Sequence, residues 1–453
     1  MLSENYYDVT HYPVGNAHED IGAVLNSIIA DIKIRQKDRD VNDGGKPGAV
    51  IYIPPGDYHL LTQVVIDVSY LKIEGSGHGF ISSSIRFNTP AKELAQWHDI
   101  WPGGSRILVD LSPDVSDDAD DAAGAAFYVK RDGNPRISSV EFANFCIDGV
   151  HFKDDGSERG DAENSYQNGK TGIYVASAND SFRITGMGLI YLEHGLTIHH
   201  ADALAVDDNF IAECGNGIEL KGMGQASRIS NNFVGAGYRG YSIYAENYGG
   251  ILVSGNNVFP RGASSVHFSG VVRSSITGNR LHSFYPGMLV FSENCCENLV
   301  SSNHFLRDRE PWAPMLKYDN GLDDLFGLLS IDGSNNSIIA NHISETIDRQ
   351  YIKPLSAKPV IMRLVSGKGN YIANNHIVAT TEDVTVHDAP NSACFATQVG
   401  ALLSTENLET LDVVSVLVEQ ASVQNTILDS GSETQVMMDR SINAFRATPG
   451  FGE

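Results

Sequence analysis

Basic residues and long apolar stretches are scarce in this 453-residue chain. Only 32 Lys and Arg stand against 56 Asp and Glu, and the resulting net charge of −24 argues against nucleic acid or an anionic membrane as a partner. No stretch approaches the roughly 18 apolar residues that a membrane-spanning helix needs. The opening segment MLSENYYDVTHYP has no basic region followed by an apolar run, so the sequence predicts no signal peptide.

Cysteine is also rare, with five residues whose spacing fits neither a zinc site nor a disulfide framework. Because their number is odd and Cys295 and Cys296 are adjacent, we expect a reducing compartment and a cytoplasmic protein. The alternative is a secreted protein in its mature form, from which a leader has been removed. Motifs of serine hydrolases, phosphate-binding loops and zinc proteases are missing, so those three chemistries have no support.

A six-residue pattern with apolar first and sixth positions occurs eight times between Ile184 and Ile377. Its fourth position, the ladder position, is Met187 in the first copy and Asn in the other seven. Successive ladder positions are 22, 23, 24, 23, 24, 38 and 34 residues apart. The seven asparagines are Asn209, Asn232, Asn256, Asn279, Asn303, Asn341 and Asn375.

A period in the low twenties with alternating aliphatic residues predicts an all-β solenoid, the parallel β-helix. An Asn at one bend of each coil predicts a ladder of stacked amides, and Asn also tolerates a left-handed backbone. The alternative, a β-sandwich with Asn-rich turns, would not keep the steps at 22–24 residues five times in succession.

The rest of the chain divides around this repeat. Apolar residues at helical spacing over 20–37 predict a helix that caps the open end of the solenoid. The predicted organisation is therefore an N-terminal segment with the capping helix at 1–48, a β-helix at 49–386, and a final rung with the C-terminal tail at 420–453. Between them, residues 387–419 break the period and predict a lid insertion; a C-terminal cap is the alternative.

Two carboxylates interrupt the repeat in a single coil. The residue before the ladder position is Gly, Asn, Ser or Ala in the other copies but Asp208 in the second. A second strand is predicted about ten residues further on, and its outward residue is Thr197, His267 or Leu289 in sister coils but Glu219 here. Two carboxylates facing one sugar are the minimum set for glycosyl transfer. The alternative is two solvated surface acids.

Four further residues are weaker candidates for binding the hydroxyls of a sugar. Glu246, Arg261 and Tyr285 are predicted in loops beside the following coils. Asp324 belongs to an insertion that would form one wall of a groove. Each of these side chains can hydrogen-bond a hydroxyl, and no spacing among them indicates a metal site.

Other titratable residues near the same coils are weaker candidates for a functional role. His194, His199 and His200 lack metal-ligand spacing and are expected at the surface. Lys170 follows a glycine in a loop without the spacing of a phosphate-binding motif, so it is expected to be solvated. Glu213 lies between Asp208 and Glu219 and is expected near a turn.

With Asp208 and Glu219 in place, the chain resembles the family of inulin fructotransferases and difructose anhydride III hydrolases along nearly its whole length. The resemblance implies a right-handed parallel β-helix, a homotrimer with active sites between neighbouring subunits, and no metal or organic cofactor. It also implies that the catalytic Asp and Glu of the family fall on Asp208 and Glu219. Segments that carry it include DIGAVLN from Asp20, IPPGDY from Ile53, NGKTGI from Asn168, NFIAECGNGIEL from Asn209, FYPGML from Phe284 and NGLDDLFG from Asn320.

The two activities of the family differ in the attacking group. The transferases release a cyclic difructose from inulin by attack of a sugar hydroxyl, whereas the hydrolases open difructose anhydride III to inulobiose with water. The expected lid at 387–419 and the missing leader are features that resemble those of the hydrolases. Hydrolase activity is therefore the favoured prediction. Glu219 is expected as the proton donor and Asp208 as stabiliser or activator of water, although these roles could be exchanged. A non-catalytic trimeric β-helix that binds carbohydrate is the third reading.

Overall fold

A computed structural model describes most of the chain as two compact units, one of residues 1–156 with 163–237 and one of residues 157–162 with 238–453. Apart from one helix, the regular structure in each described part is β-strand. The described residues are 5–37, 48–79, 103–113, 121–132, 136–150, 168–236, 240–258, 264–283, 286–309, 327–348, 359–382, 409–428, 435–439 and 441–446.

Parallel strands of the first unit stack into three long sheets, here called A1, B1 and C1, and one short sheet. Sheet A1 contains Tyr6–Asp8, Ala49–Ile53, Leu71–Gly75, Glu141–Ala143, Arg183–Thr185, Ala205–Asp207 and Arg228–Ser230. Sheet B1 contains Gly56–Leu60, Ser105–Val109, Cys146–Asp148, Gly188–Ile190, Phe210–Cys214 and Phe233–Ala236. Sheet C1 contains Val64–Ile66, Ala125–Val129, Thr171–Val175, His194–His199 and Asn216–Lys221. The short sheet contains Ile137–Ser138, Asn179–Asp180, Ala201–Asp202 and Gly224–Gln225.

The second unit is built in the same way, with sheets A2, B2 and C2. Sheet A2 contains Leu252–Ser254, Ser275–Thr277, Leu299–Ser301, Ser337–Ile339, Tyr371–Ala373, Thr426–Leu428 and Ala444–Arg446. Sheet B2 contains Asn257–Val258, Arg280–Ser283, His304–Arg309, His342–Asp348, His376–Glu382 and the antiparallel Glu409–Thr410. Sheet C2 contains Tyr241–Glu246, Ser264–Ser269, Leu289–Cys296, Leu329–Ser334, Val360–Lys368, Val414–Val418 and Gln435–Met437. The short strands Tyr248–Gly249 and Ser422–Val423 lie beside these sheets.

Successive strands of each sheet come from successive coils, which confirms the predicted parallel β-helix in both units. Alternate side chains point inward and fill the coil with aliphatic and aromatic residues, as Leu196 and Ile198 do in sheet C1. The predicted outward orientation of Leu289 is wrong. Leu289 pairs with the inward Val266 and is fully buried, and Val290 pairs with His267 instead. The strand register follows the 23-residue step of the ladder, not the position of the preceding glycine.

The asparagine ladder is confirmed within each unit. The Oδ1 atom of Asn279 accepts hydrogen bonds from the backbone and side chain of Asn256. Its Nδ2 atom donates to Asn303 of the next coil and to the carbonyl of Val253. The left-handed residue, however, is the one before each ladder position and not the Asn itself. Asp208 has φ +56° and stands where other coils have Gly186 at +64° or Asn231 at +58°.

A second ladder, which the sequence analysis missed, lies in the second unit. Each member after Asn298 accepts from the backbone N–H of the member before it, and all five occupy the residue just before a strand of sheet A2. Its spacing is irregular, but three members lie five residues before a predicted ladder Asn. The members are Asn298, Asn336, Asn370, Asn425 and Asn443.

The predicted helix runs from Ile21 to Lys37 and packs against the first coil of the first unit. The amide of Asn26 donates to the carbonyl of Gln63 and accepts from the N–H of Val65, which lies on the first strand of sheet C1. It therefore satisfies backbone groups at a sheet edge, as a cap must. Among the described residues, no helix has the length and apolar character needed to cross a membrane.

The insertion predicted at 387–419 is only partly covered, because residues 387–408 lie outside the described part. Its last residues return to the coil, since Val414–Val418 pairs in parallel with Val360–Lys368. Val414 and Val416 point inward and are buried. The coil therefore resumes at Val414, before the predicted boundary at residue 420.

Candidate active site

Glu219 lies in the middle of strand Asn216–Lys221 in sheet C1. Its neighbours Ile218 and Leu220 fill the interior, so alternation directs the Glu219 carboxylate outward, next to Thr197 of the preceding coil. The residue is nevertheless only 4% exposed. A carboxylate buried on the outer face of a coil needs polar partners to offset the loss of water.

Three side chains provide those partners. His194 Nδ1 lies 2.6 Å from Glu219 Oε2, and the Thr197 hydroxyl donates to the same oxygen at 3.1 Å. Lys221 Nζ lies 3.1 Å from Oε1, the other carboxylate oxygen. Both oxygens of Glu219 are therefore bound by donors from its own strand and the adjacent one.

These contacts keep Glu219 ionised. Burial alone would raise the pKa of the carboxyl, but the hydrogen bond and charge of His194, together with Lys221, lower it to about 2. Burial alone would likewise lower the pKa of His194, and the bond to Glu219 raises it instead. The contact therefore favours the charged form of both partners, the carboxylate of Glu219 and the imidazolium of His194.

His194 is a site residue that sequence reasoning missed, and its expected surface position is wrong. Its side chain is 13% exposed, and its Nε2 atom faces Asp121 at 3.6 Å. The signal was present in the strand register, because His194 stands opposite Asn216 at the start of the strand that carries Glu219. A single His without a metal motif does not reveal this pairing. Three-dimensional register is needed.

Asp208 lies on a different face of the same coil. It is exposed at the bend between Ala205–Asp207 and Phe210–Cys214, where its backbone N–H donates to the carbonyl of Ser230. Its charge acts on His78: burial lowers the pKa of His78, and the charge of Asp208 opposes that shift.

The structure does not bring the two predicted catalytic carboxylates together within one chain. Strand Phe210–Cys214 alone spans about 13 Å between Asp208 and the bend that leads to Glu219. In the part of the chain that the structure describes, Asp208 and Glu219 share no hydrogen bond. The strand between them separates the two carboxylates along the coil, and their action on one sugar stays a prediction.

Of the four weaker candidates, only Glu246 is described. It lies at the end of strand Tyr241–Glu246 in the second unit, where the Tyr244 hydroxyl donates to its carboxylate at 3.0 Å. Burial, followed by the contact with Glu246, raises the pKa of Tyr244 to about 12. Arg261, Tyr285 and Asp324 lie outside the described residues.

Lys170 also departs from expectation, since it is 2% exposed. Its Nζ atom donates to the carbonyls of Val109 and Gly149 at 2.6 Å each, and so links its own coil to the preceding coil of the first unit. Burial lowers its pKa to about 8. Across the described ranges, no three His, Cys, Asp or Glu side chains are grouped to hold a metal ion.

Comparisons with known proteins agree with this architecture. A family model described as the β-helix repeat of inulin fructotransferase matches residues 302–449, and one described as periplasmic copper-binding protein (NosD) matches residues 133–314. The chain is 42% identical over 398 residues to the DFA-I-forming inulin fructotransferase of Arthrobacter globiformis, covering 86% of this chain and 94% of that protein.

Two solved structures of the DFA-IIIase from Arthrobacter chlorophenolicus A6 are also similar. The complex with DFA-III is 64% identical, covers 99% of this chain and 100% of that chain, and superimposes with a TM-score of 0.91. The same enzyme without its lid, in complex with GF2, is 62% identical with the same coverage and a TM-score of 0.85.

Proposed function

The chain belongs to the inulin fructotransferase family, and on that premise we propose that it is a glycoside hydrolase that opens difructose anhydride III to inulobiose. The observation that carries this proposal is the 64% identity, over 99% of the chain, to a DFA-IIIase that was solved with DFA-III. Identity to the DFA-I-forming transferase is lower, at 42% over 86% of the chain.

The protonation of Glu219 supports a particular division of labour. Because Glu219 is ionised, we assign it the role of base, which is the exchanged form of the sequence hypothesis. Glu219 accepts a proton from the attacking water, whose oxygen bonds to the anomeric carbon. Asp208, which must enter the reaction protonated to act as the acid, donates its proton to the departing glycosidic oxygen as the bond from that oxygen to the anomeric carbon breaks. One water is consumed and the ring opens to linear inulobiose.

The separation of the two carboxylates supports a site shared between subunits. A homotrimer, as the family resemblance implies, would place Asp208 of one subunit against Glu219 of its neighbour. Head-to-tail contacts around a threefold axis repeat one such interface three times. Each trimer would then hold three equivalent sites, and an isolated subunit would hold none.

The alternative function is that of an inulin fructotransferase, favoured by the relative that forms DFA-I. In that reaction a hydroxyl of the substrate replaces water as the attacking group, and the same two carboxylates suffice. A lid over the site would favour a small cyclic substrate, because it excludes a long inulin chain. That lid remains a prediction for residues 387–408.

Incubation of the purified protein with difructose anhydride III and, separately, with inulin tests the proposal. Chromatography of the products should show inulobiose from the first substrate. A cyclic difructose from inulin would instead establish the transferase. If neither sugar changes, the third reading, a carbohydrate-binding protein without catalytic activity, replaces both.

A further inference from the structure

Three aromatic rings form a row on the outer face of sheet B1, here called the aromatic track: His78, Phe210 and Phe233. The Phe210 and Phe233 rings stack with centroids 5.8 Å apart and planes 17° from parallel. The His78 ring lies 6.5 Å from that of Phe210. In the strand register, Phe210 stands opposite Phe233 on one side and Gly188 on the other, whereas His78 lies outside the strands.

The aromatic track is accessible to solvent, unlike the aromatic residues that fill the interior of the coil. Phe233 is 44% exposed, whereas the stacked pair Phe268 and Phe291 in the second unit is buried. Phe233 therefore presents an apolar ring to solvent on the outer face of the coil.

Polar groups lie beside the rings. Asp208 is exposed two residues before Phe210, and its charge acts on His78. Glycine at position 188 leaves the neighbouring place in the row without a side chain. Flat apolar faces next to a few hydrogen-bonding groups are the usual composition of a small-molecule site.

The composition of this surface suits a sugar, because the exposed ring of Phe233 lies on the same sheet as the ring of Phe210, two residues after Asp208. A furanose ring has a C–H face that packs on an aromatic face. Hydroxyl groups at its edge can hydrogen-bond Asp208 and His78.

We propose that the aromatic track is a sugar-binding subsite, in which Phe210 and Phe233 hold the fructosyl unit whose glycosidic oxygen is protonated by Asp208. This inference rests on the proposed function and extends it by assigning residues that position the substrate. Phe210 and Phe233 are positioning residues, because they hold the sugar in place beside the Asp208 carboxylate.

The test compares Phe233→Ala with Phe233→Tyr, which keeps the ring, in steady-state hydrolysis of difructose anhydride III. Met223→Ala, at a 78% exposed apolar residue in the same unit, is the surface control. We expect Phe233→Ala to raise KM about tenfold. Its kcat, together with both constants of Phe233→Tyr and Met223→Ala, should stay within about twofold of the wild type.

Two outcomes would overturn the subsite. One is an unchanged KM in a folded Phe233→Ala protein. The other is a lower mass of the assembly by light scattering, which would make Phe233 a subunit contact. If the wild type does not convert difructose anhydride III, the proposed function fails by itself. Calorimetry with inulobiose then tests the subsite alone: about tenfold weaker binding by Phe233→Ala than by Phe233→Tyr retains it, and equal binding removes it.

Discussion

The Nδ1 atom of His194 lies 2.6 Å from the Oε2 atom of Glu219, and this hydrogen bond joins two adjacent coils of the first unit. Because both side chains are nearly buried, the bond fixes the charge of each partner as well as its position. Glu219 is thereby held as a carboxylate at neutral pH.

Removal of the Glu219 charge tests this role. Glu219→Gln keeps the shape of the side chain but cannot accept a proton, so kcat should fall by about 10²–10⁴-fold. Glu297→Gln is the matched control, because Glu297 is 49% exposed and its side chain pairs with Arg273 of the preceding coil. Activity of Glu219→Gln above a few per cent of wild type, with unchanged circular dichroism, would remove Glu219 from the mechanism.

The pH dependence of activity should report on His194. In the wild type, Glu219 loses its charge only near pH 2, so it contributes no decline in kcat/KM above about pH 4. His194→Gln removes the bond and charge that oppose burial, and the pKa of Glu219 must rise. The acid limb of the profile should therefore move upward into the measurable range.

A control variant and a further variant test whether the shift of the acid limb comes from the ion pair with Glu219. His199→Gln removes a histidine that contacts Tyr174 instead of Glu219, and it should leave the acid limb in place. Asp121, Glu193 and Lys221 also act on the pair, and loss of Lys221 should shift the limb in the same direction. An acid limb that stays unchanged in His194→Gln would contradict the ion pair.

Substitution of the buried Lys170 should lower the stability of the protein without removing a catalytic group. Lys170→Met leaves the carbonyls of Val109 and Gly149 without their donor, which should lower the free energy of unfolding by about 2–4 kcal/mol. Lys130→Met, at a half-exposed lysine, should change it by less than about 0.5 kcal/mol. Equal denaturant midpoints for the two variants would show that Lys170 does not link the coils.

The Asn ladder offers a second stability test. Asn279→Ala removes bonds to the coils on both sides and should cost about 2–4 kcal/mol. Asn257→Ala is the control, because that side chain is half-exposed and makes one long contact with Arg280. Urea denaturation measures both variants, and a loss below 1 kcal/mol for Asn279→Ala would mean that the ladder is not a main support of the second unit.

Much of the fold could be predicted because a solenoid repeats the same residue pattern and the same packing in every coil. An Asn that recurs every 22–24 residues reports directly on a bend that stacks on itself. The left-handed residue was misplaced by one position, since Asn satisfies the ladder while its predecessor makes the turn. The second ladder was missed because insertions stretch its spacing.

The site was less predictable, because its parts come from different coils. Glu219 was found as an exception to the repeat, but its partner His194 depends on strand pairing across 25 residues. Asp208 was found in the same way, and its distance from Glu219 follows from the strand between them. Repeat anomalies identify unusual residues, whereas only the packed coil shows which of them meet.

Mixed trimers test the central claim most directly, namely that Asp208 and Glu219 of neighbouring subunits form one hydrolytic site. Asp208→Asn and Glu219→Gln chains with different tags are coexpressed, the mixed assemblies are purified, and hydrolysis of difructose anhydride III is measured. Each variant alone should be inactive. The purified mixed trimers should recover about a third of wild-type activity, because each contains one interface of three at which one subunit retains Asp208 and its neighbour retains Glu219. Mixed assemblies as inactive as the single variants would contradict the shared site.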